Sequence, residues 1–469
     1  MKPINIFGKG TLSRSENVTA QQRVNCYLEA TDDKSAFVAY GTPGLTEFAN
    51  FTTTPVRGMY AIGTLLYVVH GSTLYSVSTG GTATSRGTLL TSSGRVSITD
   101  NGVQLFIVDG TYAYVYTIAT TTLAQVTDGD LPASPATAVF LDGWFIVNSA
   151  GTGQFNLSQA YNGATWDSLD YATAESSPDN LKAVFVDHGQ LVLMGENTTE
   201  FWANIGAIDF PFARVSGATQ EWGVASIWSI AKFSETIMWL ARNRMGEVQV
   251  VMFNGFQPVR VSTPDIEHIF NGYADVSDAT GLSYLHNGHP FYQINFTTAN
   301  TSWLYDGQSG IWSQLKTGTA RHRSEMAVAF NSEIITSDYA NGKLYTVDAT
   351  AYDDDGEAII LELTTKHVFD GLDRFTIDEL QMDIESGVGT PSGPGSNPVI
   401  SMSMSKDSGH TYDSDTWVPM SMGLIGEYKA RAIWRRLGQG REWVFKFKIS
   451  DPVKRVILGA WIKARKSGN

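Results

Sequence analysis

Apolar residues fall in short runs separated by single turns, and the runs repeat. Arg57–Ala61, a turn at Gly63, Leu65–Val69, a turn at Gly71 and Thr73–Val77 spell out a three-stranded meander. Its middle run, Leu65-Leu66-Tyr67-Val68-Val69, is apolar throughout, whereas Thr73–Val77 alternates. An unbroken run suits a strand packed on both faces, and an alternating one a strand with one face in water. The pattern returns at Val96–Thr99, Gly102, Gln104–Val108, Gly110 and Tyr112–Ile118. It returns again at Thr137–Phe140 with Gly143, and at Leu181–Val186 with Asp187-His188-Gly189 before Gln190–Met194. Further copies centre on Glu235, Gly288 and Ser332, with Thr236–Ala241, Glu247–Phe253, Pro290–Phe296, Glu333–Ser337 and Lys343–Val347. Successive central turns lie 39, 41, 46, 46, 53 and 44 residues apart. Four-stranded propeller blades recur at about that spacing, roughly 40–45 residues.

Each meander alone would leave an apolar face in water, and stacking around an axis covers it. The expected fold is all-β: a six- or seven-bladed β-propeller over 56–350, ahead of a sandwich array or a solenoid of hairpins. Closing the ring needs a strand from distant sequence. The segment 1–55 offers Phe37–Tyr40 and Leu45–Phe48 for that role. Helix signals are few. Thr263-Pro264, then Asp265–Phe270 and Asn271-Gly272, give an N-cap, a proline at the first position and a glycine stop; Ser15–Glu29 is a second candidate helix. After Val347 the texture changes. Asp353-Asp354-Asp355-Gly356 is a polar break, Gly387–Pro398 is rich in Gly, Pro and Ser, and Val399–Ser405, Trp443–Ile449 and Val456–Ala464 alternate. This predicts a separate antiparallel, sandwich-like β-domain over 351–469.

Composition adds limits. The 469 residues exceed one ordinary core, and 42% hydrophobic with 12% aromatic residues excludes a disordered chain. The single Cys26 excludes an internal disulfide framework and any Cys-built metal site. Met1–Leu12 lacks an apolar signal region and no run of eighteen apolar residues occurs. Synthesis in a reducing cytoplasm, without membrane insertion, is therefore expected. Net charge is −14 but unevenly placed: from Ser421 onward 12 Lys and Arg face 3 Asp and Glu, leaving 21 against 44 for the rest. An acidic body with a basic end predicts contacts between proteins more than a grip on nucleic acid.

Candidate chemistry is thin, and no catalytic residue, cofactor site or metal site is assigned. No Gly-x-Ser-x-Gly, Walker loop, His-Glu-x-x-His or Rossmann fingerprint occurs. Cys26 has no histidine nearby in sequence and suits a buried position. His286 and His289 flank the turn Asn287-Gly288 without an indicated third ligand. Asp353, Asp355, Gly356 and Glu362 match half of a calcium loop spanning Ala351–Glu362, but Ala351 stands where a carboxylate is required. An acidic turn between domains is the preferred reading. Ser405-Lys406-Asp407-Ser408-Gly409-His410-Thr411-Tyr412 resembles the Asp-box hairpin of sialidases, with Tyr412 in place of the usual Trp; the resemblance implies a turn, not hydrolysis. Basic and aromatic residues interleave from Tyr428 to Lys466. Lys446 and Lys448 alternate with Phe445 and Phe447, as expected of outward charges on strands whose aromatics face a core. Arg431, Arg435, Arg436, Lys446 and Lys448 are the candidate assembly interface.

Several segments resemble a known family. Asn162-Gly163-x-Thr165-Trp166-Asp167-x-Leu169-Asp170-Tyr171-Ala172-Thr173-Ala174-Glu175-x-Ser177-Pro178-Asp179-Asn180 is one, followed by Asp187-His188-Gly189 and Gly195-Glu196-Asn197-Thr198-Thr199-Glu200-Phe201-Trp202. Gln22-Arg23-Val24-Asn25-Cys26-Tyr27-Leu28-Glu29 is another. They are similar to the packaged-DNA stabilisation proteins that form the tail hub, or nozzle, of short-tailed bacteriophages. The resemblance runs from about residue 20 to 350 and rests chiefly on 160–202. It implies a structural virion protein, not an enzyme. It further implies a homohexameric ring below the portal and its adaptor ring that extends and closes the DNA channel and anchors tailspikes or fibres and a plug, or needle. Duplex DNA would pass through the ring without specific binding. A glycan-binding or glycan-hydrolysing propeller of the receptor-binding apparatus is the alternative, with Trp166, Trp202 and Trp222 as sugar platforms.

Overall fold

In the computed structural model, residues 1–32, 36–52, 54–174, 179–371, 373–412 and 417–466 are described. Glu175, Ser177 and Pro178 of the family-like segment lie outside them. Tight turns in the left-handed region fold the apolar runs into hairpins. Gly63 (φ 55°), Gly71 (φ 54°) and the pair Asn287 (φ 49°) and Gly288 (φ 82°) are examples, conformations that Gly and Asn adopt at least cost. Among the described residues seven antiparallel four-stranded units result. Six run in sequence within 56–88, 97–125, 138–173, 181–214, 223–260 and 280–317. The inner strand of the fifth is interrupted by the short turn Ile227–Ser229. The seventh takes three strands from 324–348 and its outer strand from Gly44–Asn50, with Thr346 opposite Thr46 and Asp348 opposite Gly44.

The apolar core lies between units and not within one. Tyr67, Leu74, Leu105 and Tyr116 fill the space between the first two, Phe106, Phe145 and Trp166 the next, and Phe155, Leu193 and Trp202 the one after. Val56, Leu66, Phe330 and Leu344 pack the last unit against the first. The ring is thereby closed. The sixth and seventh units meet through a polar seam instead: buried Asn295 and Gln293 donate to the Ser324 carbonyl at 2.9 and 3.2 Å. Across the axis the Arg95 guanidinium lies 5.2 Å from the Trp228 ring centroid and 3.8 Å from the Glu325 carboxylate, so residues of non-adjacent units fill the centre.

The second body is a sandwich of two sheets. One holds Phe375–Ile384, Ala432–Gly440 and Val456–Lys466 together with Phe37–Gly41, Cys26–Ala30 and Lys2–Ile4. The other is the sixth propeller unit continued. Its outer strand Ile311–Thr317 pairs in parallel with Gln22–Val24, which pairs with Leu361–Thr364, then Glu442–Ile449, Val399–Ser405 and Val418–Ser421. Trp434, Trp443, Phe445, Phe447 and Leu380 fill the space between the sheets. N-terminal residues therefore help to build the body that the C-terminal residues dominate.

Two expectations change. Ser15–Glu29 is not a helix: Gln22–Val24 and Cys26–Ala30 are strands, and Asn25 between them has φ 53°, which no right-handed helix tolerates. The pairing offered by two open sheet edges outweighs local propensity. Of the two proposed closing runs only the second closes the propeller; Phe37–Gly41 pairs with Cys26–Ala30 and with Val456 and Ile457 in the sandwich. The helix Pro264–Asn271 forms as expected, with the Thr263 hydroxyl accepting from Ile266 N. No helix of the described residues is long and apolar enough to cross a membrane.

Candidate functional site: the joint and the blade wedges

The Gln22–Glu29 segment is the joint between the two bodies, and its polar side chains are consumed in making it. Arg23, 3% exposed, donates from Nη1 to the Gly8 carbonyl (2.8 Å) and from Nη2 to those of Gly10 (2.7 Å) and Trp312 (3.0 Å). A guanidinium surrounded by carbonyl dipoles, with no close carboxylate among the described residues, suffers from desolvation, and burial pulls its pKa down to about 10. Asn25 Nδ2 donates to the carbonyls of Lys316 and Ile360, both at 3.0 Å, while its Oδ1 accepts from Lys316 N at 2.8 Å. One amide thus ties the propeller strand to the chain entering the sandwich. Arg455 closes the other side, donating to Ile359 O (2.6 Å) and Thr42 O (3.0 Å), again drawn down to about 10 by burial. Cys26 is fully buried here and burial pushes its thiol up to about 12, the opposite of an activated nucleophile.

The 160–202 stretch pins neighbouring blades. Trp166 is buried against Phe106 (5.7 Å between centroids); its Nε1 donates to Gly163 O and its backbone N to Asp128 Oδ2. Asp179 Oδ2 accepts from the backbone N of Asn197 (2.7 Å) and Thr198 (3.0 Å). Gly195 is required beneath it, since a Cβ there would stand 2.7 Å from that carboxylate. Thr199 Oγ1 donates to Trp222 O, and Trp202 Nε1 to the buried Glu200. Trp166 and Trp202 are 5% and 9% exposed, so neither presents a face on which a sugar could stack.

The five basic residues do not form one patch. Ala432, Trp434 and Leu437 face the sandwich interior, so Arg435 lies on the outer face of its sheet, 3.1 Å from Glu379. Arg436 (φ 60°) falls at a bulge beside it, and Arg431 and Arg436 are exposed. Lys446 and Lys448 lie on the outer face of the other sheet, between inward Phe445 and Phe447, with Lys446 3.1 Å from Glu362 and both ammonium groups near the Trp417 ring. The strand alternation read from the sequence holds, and it sends the two groups to opposite faces. The charge split is also resolved locally. Residues 351–420 carry 3 Lys and Arg against 14 Asp and Glu, and Lys454–Glu385 and Arg465–Asp378 join Arg435–Glu379 and Lys446–Glu362 as pairs between the two stretches.

The remaining candidates resolve into turns. His289 is buried with Nδ1 3.0 Å from Asp306, while His286 contacts Asn287. In the acidic loop Asp353 accepts from Gly356 N, Asp355 pairs with Lys343 at 2.6 Å and Glu362 with Lys446. Among the described residues no three His, Cys, Asp or Glu groups are placed to share a metal. In the Asp-box-like hairpin Asp407 accepts from Ser405 Oγ (2.6 Å) and Thr411 N (2.9 Å). Burial works against this carboxylate, yet the donors hold it down at about 2.

Buried polar groups that tie strands, aromatic wedges between blades and a sheet shared by two bodies define a structural β-propeller–β-sandwich protein. Two family models match the chain in the same order: the β-propeller of bacteriophage P22 Gp10 over residues 6–352, and the β-sandwich of bacteriophage P22 Gp10 over residues 360–465. The chain belongs to the bacteriophage P22 Gp10 family and is a structural protein of a phage tail, not an enzyme. Comparison with curated proteins finds no sequence match. Among solved structures, the extracellular domain of a hybrid two-component system, BT4673, of B. thetaiotaomicron is 9% identical with a TM-score of 0.46; the alignment covers 65% of this chain and 40% of that one. A chain of the mitotic checkpoint complex is 13% identical with a TM-score of 0.40, over 69% and 96%. The computationally designed protein Ika8 is likewise 13% identical with a TM-score of 0.40, over 70% and 100%.

Proposed function

We propose that this chain is one subunit of a closed ring, a homohexamer, in the tail of a short-tailed phage, made in the host cytoplasm and assembled below the portal and its adaptor ring. The ring extends the DNA channel, closes it after packaging, and carries tailspikes or fibres and a plug. The observation that carries this reading is the match of both Gp10 domains, in order, along nearly the whole chain. The geometry is compatible. With Arg95 and Trp228 meeting across the propeller axis, a duplex on the order of 20 Å wide has to pass through the ring of subunits. A chain of net charge −14 offers phosphates little to hold, which suits a channel that DNA must leave. The continuous sheet joins propeller and sandwich through strand pairing. A head-to-tail ring needs two different surfaces on each subunit, and the sandwich carries basic residues on two opposite faces, Arg431, Arg435 and Arg436 on one side and Lys446 and Lys448 on the other.

Negative-stain images and native mass spectrometry of the purified chain at micromolar concentration test this; closed rings of one size are expected, and a persistent monomer would overturn it. Reversing Arg435 and Arg436 to Glu should slow assembly most at low salt, because rim charges act mainly on association rate. Mobility-shift assays at physiological salt should show little binding of duplex DNA. Tight binding lost in the same variant, with rings intact, would favour a DNA-gripping role.

A further inference from the structure

A cleft of about 220 Å³ lies between the helix Pro264–Asn271, the last two strands of the sixth propeller unit and the segment leading into Gln22–Val24. Its wall follows from strand register. Trp303 stands opposite Gln314, and Trp312 is two residues along from Gln314, so both indoles share one sheet face. Phe270 of the helix packs against Trp303 and Trp312, with ring centroids 6.1 and 6.0 Å away, while Ile269 and Tyr273 flank the cleft. The polar ends of these rings are engaged elsewhere. Trp303 Nε1 donates to the Tyr273 hydroxyl (3.0 Å) and Trp312 Nε1 to Val261 O (3.2 Å). What the rings offer the cleft is apolar surface.

The same cleft holds polar groups that the described residues leave unsatisfied. Arg23 lines it and spends Nη1 and Nη2 on three carbonyls, while its Nε–H is buried without a hydrogen-bond partner. The Thr11 hydroxyl lines the cleft too and is likewise buried without one. Among the described residues that line the cleft, Arg23 alone carries a charge. Its pKa of about 10 keeps it cationic at neutral pH. Buried charges are ordinarily paired, and a donor hidden from water with nothing to accept from it is unfavourable. A cation answered only by carbonyl dipoles and two free donors therefore meet an aromatic wall in one cleft, the combination that marks a ligand site.

We propose that this cleft binds an aromatic carboxylate. The ring lies against Trp303, Trp312 and Tyr273, and the carboxylate accepts from Arg23 Nε and Thr11 Oγ1. A charge-assisted hydrogen bond of that kind is about twice as strong as a neutral one, and the acid supplies the anion that Arg23 lacks. The size agrees. An apolar cavity of about 150 Å³ takes benzene, and about 220 Å³ leaves room for one ring and its acid group. The carboxylate comes either from a free small acid or from the end of a polypeptide whose last residue is aromatic. The cleft lies within one subunit, so the proposal does not depend on the ring.

The probe is phenylacetate, titrated against the full chain by isothermal calorimetry, with the neutral phenylacetamide and the ringless acetate as controls. Phenylacetate should bind roughly tenfold or more tightly than either, the worth of one hydrogen bond to a charged group. Thr11→Val keeps the side chain's shape and breaks no hydrogen bond of the folded chain. Its melting temperature should therefore not fall, yet phenylacetate should bind at least fivefold more weakly. Arg23→Gln should abolish binding; because that change also loosens the joint, Thr11→Val decides. Gly-Gly-Phe with a free C-terminus, set against its amide, identifies the source. Tighter binding than phenylacetate, lost in the amide, makes the ligand a chain end, and weaker binding makes it a free acid. Equal binding of phenylacetamide, undiminished binding to Thr11→Val, or no binding of any probe because water alone occupies the cleft, overturns the proposal.

Discussion

Asn25 offers the sharpest test of how the two bodies are joined. Replacing it by Ala removes three side-chain hydrogen bonds, to Lys316 N, Lys316 O and Ile360 O. Each contributes about 1 kcal/mol net, and a buried donor left unpaired adds roughly 1–3 kcal/mol. Asn25 also has φ 53°, where Ala is strained by about 1 kcal/mol relative to Gly. Asn25→Ala should therefore lower the free energy of opening the joint by about 5–7 kcal/mol, and Asn25→Gly by about 1 kcal/mol less. Hydrogen exchange read by mass spectrometry on peptides covering 22–26, 312–317 and 360–364 measures this directly, since about 3 kcal/mol corresponds to roughly a hundredfold faster exchange. The second propeller unit, 97–125, should keep its protection. A loss under about 1 kcal/mol in the Ala variant, or one spread evenly over the distant blades, would refute the view that this amide is a local tie.

Trp166→Ala should destabilise the chain by about 3–5 kcal/mol, the usual cost of removing a buried aromatic wedge, read from the shift in urea midpoint. Cys26, with its thiol pushed up to about 12 from an ordinary 9.0, carries on the order of a thousandfold less thiolate than an exposed cysteine; iodoacetamide at pH 8 should leave the native chain unlabelled and label it fully in denaturant. Asp407 sits at about 2 when folded and near 4 when unfolded. Its contribution is present above about pH 4 and is lost as pH falls towards 2. Protease nicking within 405–412 should rise across that window in the native chain, and Asp407→Asn should show the faster nicking already at neutral pH.

The blades could be found by eye in the sequence because a propeller blade is a local object. Its strands are neighbours in the chain, its turns need Gly or Asn at positive φ, and its inner strands are apolar on both faces. Leu65–Val69 and Gln104–Val108 therefore announced themselves without any knowledge of what they pack against. The short helix at Pro264 was equally visible, since capping acts over four residues. The alternation of Lys446 and Lys448 with Phe445 and Phe447 correctly gave which side chains face the core. It could not say that Arg435 emerges on the opposite face, because that depends on which sheet each strand joins.

What only the tertiary structure decided are the pairings between residues hundreds of positions apart. Gln22–Val24 between Ile311–Thr317 and Leu361–Thr364, and Phe37–Gly41 in the sandwich, have no local signature that names their partners. The same holds for charge. Linear counting separates a basic end from an acidic body, yet cross-strand pairs such as Arg435–Glu379 and Lys446–Glu362 bring opposite signs together within one domain, because in a β-sheet neighbours in space are set by register, not by distance along the chain.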